Sequence, residues 1–256
     1  MTRFRLLYTI IAALISVASC LATPKLTDET LNYKVLFKWG LVQKQAGRAT
    51  LKLRTSPGHF TATLYARSEP WADHFYSLRD TLISTMTAED CLPTRYERIA
   101  HEDGKYARDV ITMRRTGNLV DGHSIRYRRS KKDTGITSSE IKLKAEGPTV
   151  DLLSVFYYIR SIDFQQLTPG YKKVINIFSG KRKELLTITY HGKENLKLDG
   201  TEHPTFRISF TFTDERSSKT SDDIDTWIST DKSRIPLKLE GKLKIGKIRC
   251  LYTGGN

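Results

Sequence analysis

The sequence predicts a mainly β protein in which one curved antiparallel sheet, a β-roll or half-barrel, carries a single amphipathic helix. Apolar and polar residues alternate with a period of two over much of the chain, which is typical of strands with one buried and one solvated face. Turn residues separate these runs at short intervals, as in an antiparallel meander. One segment has the clear period of a helix, and a second, weaker helix candidate spans 69–75, where Pro70 suits a helix start.

The predicted strands begin near the N-terminus. Runs 33–39, 49–54 and 60–64 alternate cleanly, and the turn at 56–58 separates the second run from the third. The second half repeats the pattern more clearly, in runs 174–178, 185–190, 194–198, 206–212, 227–229 and 237–245. One face of a curved sheet encloses an interior, so we expect a set of large apolar side chains to share it: Trp39, Leu51, Phe206, Phe210, Trp227, Leu239 and Leu243.

The helical segment spans residues 151–162. Leu152, Val155, Phe156 and Ile159 recur at intervals of three and four, the spacing of one apolar helix face. Asp151 at its start is suited to capping. This helix packs on the sheet either as plain core or as a lid over its concave face. In the lid interpretation, these four side chains and Trp227 would line a site for an apolar ligand.

Residues 1–22 have the composition of a secretory signal peptide. Arg3 and Arg5 precede an apolar run over 6–17, and small residues follow it up to Ala22. The run is shorter than the roughly 20 residues of a membrane-spanning helix. We therefore expect an exported protein of the periplasm or the outer membrane, with a single β-rich domain over 23–256.

Two cleavage sites are compatible with this leader. Val17-Ala18-Ser19-Cys20 fits the pattern after which lipoproteins are cleaved, and Cys20 would then carry the acyl chains. Ordinary cleavage after Ala22 would instead leave a free start at Thr23. We expect membrane attachment only through such a lipid anchor.

The chain is strongly basic. Its formal charge is +14, and loss of Arg3 and Arg5 with the leader lowers that charge by 2, to +12. Export argues against a nucleic acid partner, whereas anionic surfaces of the cell envelope remain accessible. The densest basic run, 126–132, lies among polar residues and predicts a solvated loop rather than a docking patch.

The sequence contains no motif typical of a catalytic or cofactor site. The six histidines are scattered, and no nucleophile elbow or phosphate-binding loop is present. We expect no enzyme activity, no cofactor and no metal, with Asp222, Asp223 and Asp225 forming a solvated turn. Cys91 and Cys250 either form a disulfide or pack separately as small apolar side chains.

Several short motifs occur in an order that is similar to one known family: Phe37-Lys38-Trp39-Gly40, Ala46-Gly47-Arg48-Ala49, Asp151-Leu152-Leu153-Ser154, Gly192-Lys193-Glu194 and Arg234-Ile235-Pro236-Leu237-Lys238. Together they resemble the exported Gram-negative envelope proteins of domain of unknown function 3108. This resemblance implies a β-rich fold and supplies neither an activity nor catalytic residues.

A second, shorter resemblance concerns residues 227–238. Their strand-turn-strand pattern is similar to that of lipoprotein carriers of the LolA and LolB type, which hold acyl chains inside a half-open β-barrel. It implies a protein that binds a lipid or other apolar ligand in its concave face. A non-catalytic scaffold or interaction protein of the outer membrane is the alternative, and an enzyme comes third.

Overall fold

The computed structural model describes residues 26–215, 217–243 and 246–256. The predicted leader, Cys20 and positions 244–245 of the last predicted run lie outside the described residues. Fifteen strands of the described part form one sheet. Their bounds are β1 Glu29–Trp39, β2 Val42–Ser56, β3 His59–Ser68, β4 Leu78–Thr87, β5 Pro93–Glu102, β6 Lys105–Thr116, β7 Leu119–Arg129, β8 Thr137–Glu146, β9 Thr149–Val150, β10 Lys172–Phe178, β11 Lys183–Leu198, β12 Thr201–Thr213, β13 Ile224–Ser229, β14 Pro236–Lys242 and β15 Lys247–Gly255.

The sheet is a meander that is interrupted once. Strands β8 to β1 follow each other in reverse sequence order, then β15 pairs with β1, and β14 to β9 complete the sheet. The two outermost strands come close together. Ser124 Oγ of β7 donates to the carbonyl of Gly180, and Asn176 Nδ2 of β10 donates to the carbonyl of Glu146, each at 2.7 Å. The predicted curved antiparallel sheet is confirmed, and it curves far enough to close nearly into a barrel.

The connections between strands divide into two sets, because neighbouring antiparallel strands reverse direction. We call one end of the barrel the tip end. It carries the connections β1–β2, β3–β4, β5–β6, β7–β8, β10–β11, β12–β13 and β14–β15. We call the opposite end the helix end. It carries the connections β2–β3, β4–β5, β6–β7, β11–β12 and β13–β14, together with Glu29 at the start of β1.

The described residues contain two α-helices, α1 at Pro70–Asp73 and α2 at Ser154–Arg160, and a 3-10 helix at Phe164–Gln166. Helix α2 is shorter than the predicted helix over 151–162. Asp151 Oδ1 accepts from the backbone N–H of Leu153 and of Ser154, both at 2.7 Å, so it caps the helix rather than entering it. Neither helix has the length and apolarity that crossing a bilayer requires.

Two apolar clusters of buried side chains surround α2 inside the barrel. The first draws its strand residues from β1 to β8 and β10, and the helix segment adds Leu153 and Tyr157. The second draws its strand residues mainly from β9 to β13, and the helix adds Val155, Tyr158 and Ile159. The helix therefore lies within the barrel and is buried on nearly all sides.

The predicted shared interior is partly wrong. Leu51, Phe206 and Phe210 are buried, and Leu239 is half-buried. Trp39 and Leu243, in contrast, are 64% and 49% exposed, since each lies at a hairpin tip where no strand covers it.

Trp227 lies on the opposite face from the interior. In the strand register it is paired with Arg207 and Lys238, whereas its neighbour Ile228 is paired with the buried Phe206. Residues directly opposite each other share a face of the sheet. Trp227 therefore packs outside, under the cations of Arg207 and Lys238 and with its indole N–H donating to Glu194.

The basic run 126–132 is only partly the loop that its composition predicts. Its first four residues belong to β7, and only the rest follow the strand. Arg126 and Arg128 turn inward to Asp109, at 3.0 Å and 2.6 Å. Lys131 pairs with Asp103 at 3.3 Å. The run is therefore half strand, with three of its cations engaged in ion pairs.

Candidate functional site

The predicted lid residues lie together inside the barrel. Val155 and Ile159 are buried in the second cluster. Leu152 and Phe156 contact both clusters and yet remain only half-buried. The four helix positions thus lie where the two clusters meet, and Leu152 and Phe156 keep accessible surface there. Trp227, on the outer face, does not contribute to this surface.

Arg160, the last residue of α2, forms the polar centre of this interior. It is 2% exposed and makes a two-point ion pair with Glu29, at 2.5 Å and 2.9 Å. Its Nη2 also donates to the carbonyl of Ser233 at 2.8 Å. Burial alone would lower the pKa of Arg160, but the hydrogen bond and charge of Glu29 raise it above its ordinary value.

Three buried polar atoms near this ion pair have no hydrogen-bond partner among the described residues. They are Tyr33 Oη, Tyr157 Oη and Arg160 Nε. The guanidinium of Arg160 lies 5.4 Å from the ring centroid of Tyr157. Burial raises the pKa of both tyrosines, so their hydroxyls stay protonated and can donate. Buried donors are nearly always paired in folded proteins, and such a group calls for an acceptor.

The sequence did not reveal this ion pair. Arg160 and Asp163 are expected from their proximity in sequence to pair with each other, but Asp163 instead faces Arg234 at 3.7 Å. Glu29 lies 131 residues before Arg160 in the chain. The only local sign was a lone arginine at the end of an apolar helix, where it also complements the helix dipole.

Asp151 fixes the other end of the helix. Its carboxylate is fully buried and accepts from Ser84 Oγ at 2.6 Å as well as from two backbone N–H groups. Burial raises the pKa of this carboxyl to about 6, against the opposing effect of these hydrogen bonds. Asp151 thus attaches the start of α2 to strand β4.

The remaining candidate groups have structural partners. Cys91 and Cys250 are free thiols, and burial raises the pKa of each to about 11, so they pack as small apolar side chains. Within the predicted acidic turn, Asp225 pairs with Arg207 at 3.0 Å and Asp223 accepts from Thr211. The accessible surface of Leu152 and Phe156 and the three unpartnered donors therefore remain the most distinctive features of the described interior.

Comparison with known families shows to which family this chain belongs. A family model described as "Protein of unknown function (DUF3108)" matches residues 32–251. The chain belongs to this family. The resemblance that the sequence motifs indicated is thereby confirmed, and the matched region covers every strand of this DUF3108 barrel at least in part.

Two solved structures that the chain resembles are distant from it in sequence. A β-barrel-like protein of domain of unknown function DUF1849 from Brucella abortus is 11% identical, with a TM-score of 0.62 over 91% of this chain and 98% of that chain. A "putative lipoprotein" from Parabacteroides distasonis is 7% identical, with a TM-score of 0.33 over 91% and 97%. No curated protein matches the sequence. The Brucella structure therefore supports the fold of the DUF3108 barrel alone.

Proposed function

We propose that this DUF3108 protein is a non-catalytic protein of the cell envelope that binds a lipid or other apolar ligand inside its barrel. The observation that carries the proposal is the combination of half-buried Leu152 and Phe156 with three unpartnered donors on the same interior. An apolar chain would pack on Leu152 and Phe156 where the clusters meet, and its polar end would accept from Tyr33, Tyr157 and Arg160.

The charge balance of the site indicates what kind of polar end it takes. Arg160 is already neutralised by Glu29, so a second buried anion would lack a counter-charge. A neutral acceptor, such as the carbonyl oxygen of an acyl ester, pairs with the three donors without that cost. The ligand class we propose is therefore an esterified acyl chain.

Uptake of fluorescent probes tests this function. A fluorescent fatty acid and its methyl ester are titrated into the wild type, Tyr157→Phe, Phe156→Ala and, as a control on the outer face, Trp227→Phe. We expect the ester to bind more tightly than the acid, both interior variants to weaken uptake, and Trp227→Phe to leave it unchanged. Native mass spectrometry of protein from its own envelope should detect a retained lipid.

Stability measurements separate a ligand gap from a packed core. In a close-packed core, Phe156→Ala would cost about 3–5 kcal/mol of the free energy of unfolding. Beside a gap we expect a smaller cost, measured by urea denaturation. Loss of the full amount, together with no uptake of either probe by the wild type, would contradict the proposal and favour a scaffold role.

The cellular location belongs to the same proposal. It rests on the leader pattern of residues 1–22 and on Cys20. We expect Cys20→Ala to move the protein from the membrane fraction to the soluble periplasmic fraction. A wild type that is already soluble and begins at Thr23 would rule out the lipid anchor while leaving export intact.

A further inference from the structure

Exposed apolar side chains concentrate at the tip end of the barrel. Eleven large apolar side chains are exposed in the described residues. Seven of them lie at tip-end connections or at the strand ends beside them: Trp39, Leu41, Val42, Phe75, Tyr76, Ile136 and Leu243. Single exposed apolar residues are ordinary, but a concentration at one end of a molecule marks an interaction surface.

Four of these residues form what we call the tip surface: Trp39, Leu41, Val42 and Leu243. Leu41 is fully exposed in the turn of the β1–β2 hairpin. The β14–β15 hairpin lies directly beside it, since Lys38 is paired with Lys247. Gly246 packs so closely on the Lys38 carbonyl that a Cβ there would come within 2.3 Å of it. The two hairpins thus present their apolar residues together.

Lysines surround the tip surface. Lys38, Lys242 and Lys247 line the groove between the hairpins, with Asp222 as the acidic residue of that groove. Lys247 is paired with Glu240, whereas Lys38 and Lys242 have no ion-pair partner among the described residues. Apolar tips with a tryptophan and flanking lysines suit the boundary between headgroups and acyl chains, where the cations meet anionic lipid.

We propose that the tip surface docks the barrel onto a bilayer that contains anionic lipid. Trp39, Leu41 and Leu243 enter the headgroup region, and Lys38 and Lys242 contact the lipid phosphates. The shape favours a bilayer over a protein partner, because the apolar residues stand on two hairpin tips rather than on a flat face.

This contact is independent of a lipid anchor at Cys20. Leu26, the first described residue, packs in the first cluster three residues before β1 starts at the helix end. The six residues from Cys20 to Leu26 span at most about 20 Å. Strand β1 separates the two ends by about 36 Å. An acyl chain on Cys20 would therefore hold the helix end of the barrel near a bilayer, and the tip surface would contact lipid separately from that anchor.

Vesicle flotation of the chain over 23–256 tests the proposal, with phosphatidylcholine vesicles that contain or lack phosphatidylglycerol. We expect the wild type to bind the anionic vesicles selectively. The double variant with Trp39→Ala and Leu41→Ser should lose at least about ten-fold in partitioning. Lys38→Gln and Lys242→Gln should each lose about five-fold on anionic vesicles. Leu119→Ser, at an exposed leucine of the helix end, is the control and should bind like the wild type.

Quenching by brominated lipids gives a second measurement. The fluorescence of the wild type should be quenched on anionic vesicles. Trp39→Phe should remove most of that quenching, with Trp71 and Trp227 left in place. Three results would overturn the proposal. The wild type could bind neutral vesicles as well as anionic ones, or Leu119→Ser could lose as much vesicle binding as the tip variants. The wild type could also bind no vesicles and instead self-associate in a way that Leu41→Ser removes. Probe uptake in the barrel should be unchanged by Leu41→Ser, so failure here is distinguishable from failure of the proposed ligand site.

Discussion

The inner faces of the two walls of the barrel differ in charge. On strands β4 to β7, Asp80 and Asp109 are buried and pair with Arg98, Arg126 and Arg128. On strands β11 to β13 the inward buried side chains are apolar apart from the neutral Thr226: Leu186, Ile188, Tyr190, Phe206, Ile208, Phe210 and Ile228. We call these the charged wall and the apolar wall.

The difference indicates a division of roles. Ion pairs require a defined geometry, so the charged wall fixes how strands β4 to β7 align. The apolar wall supplies most of the surface against which Val155 and Ile159 of helix α2 pack. A ligand beside Leu152 and Phe156 would therefore meet an apolar side and a side whose strand alignment is fixed by ion pairs.

The largest effect should come from Asp109 on the charged wall. It is the shared acceptor of Arg126 and Arg128, so Asp109→Ala leaves two partly buried cations without their partner. We expect a loss of about 3–5 kcal/mol in the free energy of unfolding. Thr226→Ser, which removes one methyl group from the apolar wall, is the control, with a loss of about 1 kcal/mol. Equal losses in urea denaturation would remove the distinction between the walls.

Asp151, which joins helix α2 to the charged wall, should give a pH-dependent effect. Its folded pKa of about 6 lies above the ordinary 3.8, so the stability linked to its proton is present below about pH 4 and is lost as the pH rises through 6. The change amounts to about 2–3 kcal/mol. Denaturation between pH 4 and 7 should show this slope in the wild type and a flatter profile in Asp151→Asn. Identical profiles would mean that Asp151 ionises at its ordinary pKa.

The apolar wall should respond to volume instead of pH. Ile188 is 2% exposed and packs in the second cluster. Ile188→Val removes one methylene group, and we expect a loss of about 0.5–1.5 kcal/mol. The loss should be the same at pH 5 and pH 8. A pH-dependent loss would show that this wall is electrostatically coupled to the charged one.

The smallest effect should come from an ion-pair group on the outer face. Glu240 accepts from Lys247 at 3.0 Å and from Arg249 at 2.7 Å. Partial burial opposes ionisation, but these hydrogen bonds and Lys238 lower the pKa of Glu240 to about 2. Because the partners are solvated, Glu240→Gln should cost under about 1 kcal/mol at pH 7. The difference in stability between Glu240→Gln and the wild type should vanish as the pH falls from 4.5 through 2. If Glu240→Gln cost as much stability as Asp109→Ala, burial would not distinguish the two ion-pair networks.

The charged wall also explains which strands the sequence did not predict. Strands β4 to β8 gave no clear alternation, because their inward positions include Arg98, Asp109, Arg126 and Arg128. A pattern that expects apolar residues inside cannot recognise a wall whose inner face is charged. The apolar wall follows the ordinary rule, and its strands were predicted well.

The candidate site was predicted in its apolar part only. Leu152, Val155, Phe156 and Ile159 follow helical spacing, so the sequence identified the face that meets the interior. Trp227 was assigned to the wrong side, because its neighbours Thr226 and Ile228 are the inward pair. A shift of one residue in a strand exchanges the two faces, and a three-residue run does not define which is which.

The sequence by itself determined the β-rich class, the single long meander, the helix at its centre and the membership of the family. These features depend on local periodicity and on motifs a few residues long. Only the tertiary structure decided that the sheet nearly closes, that Arg160 pairs with Glu29 across 131 residues, and that Tyr33 and Tyr157 lack partners beside it. Such contacts depend on the curvature of the whole sheet, which no local stretch of sequence specifies.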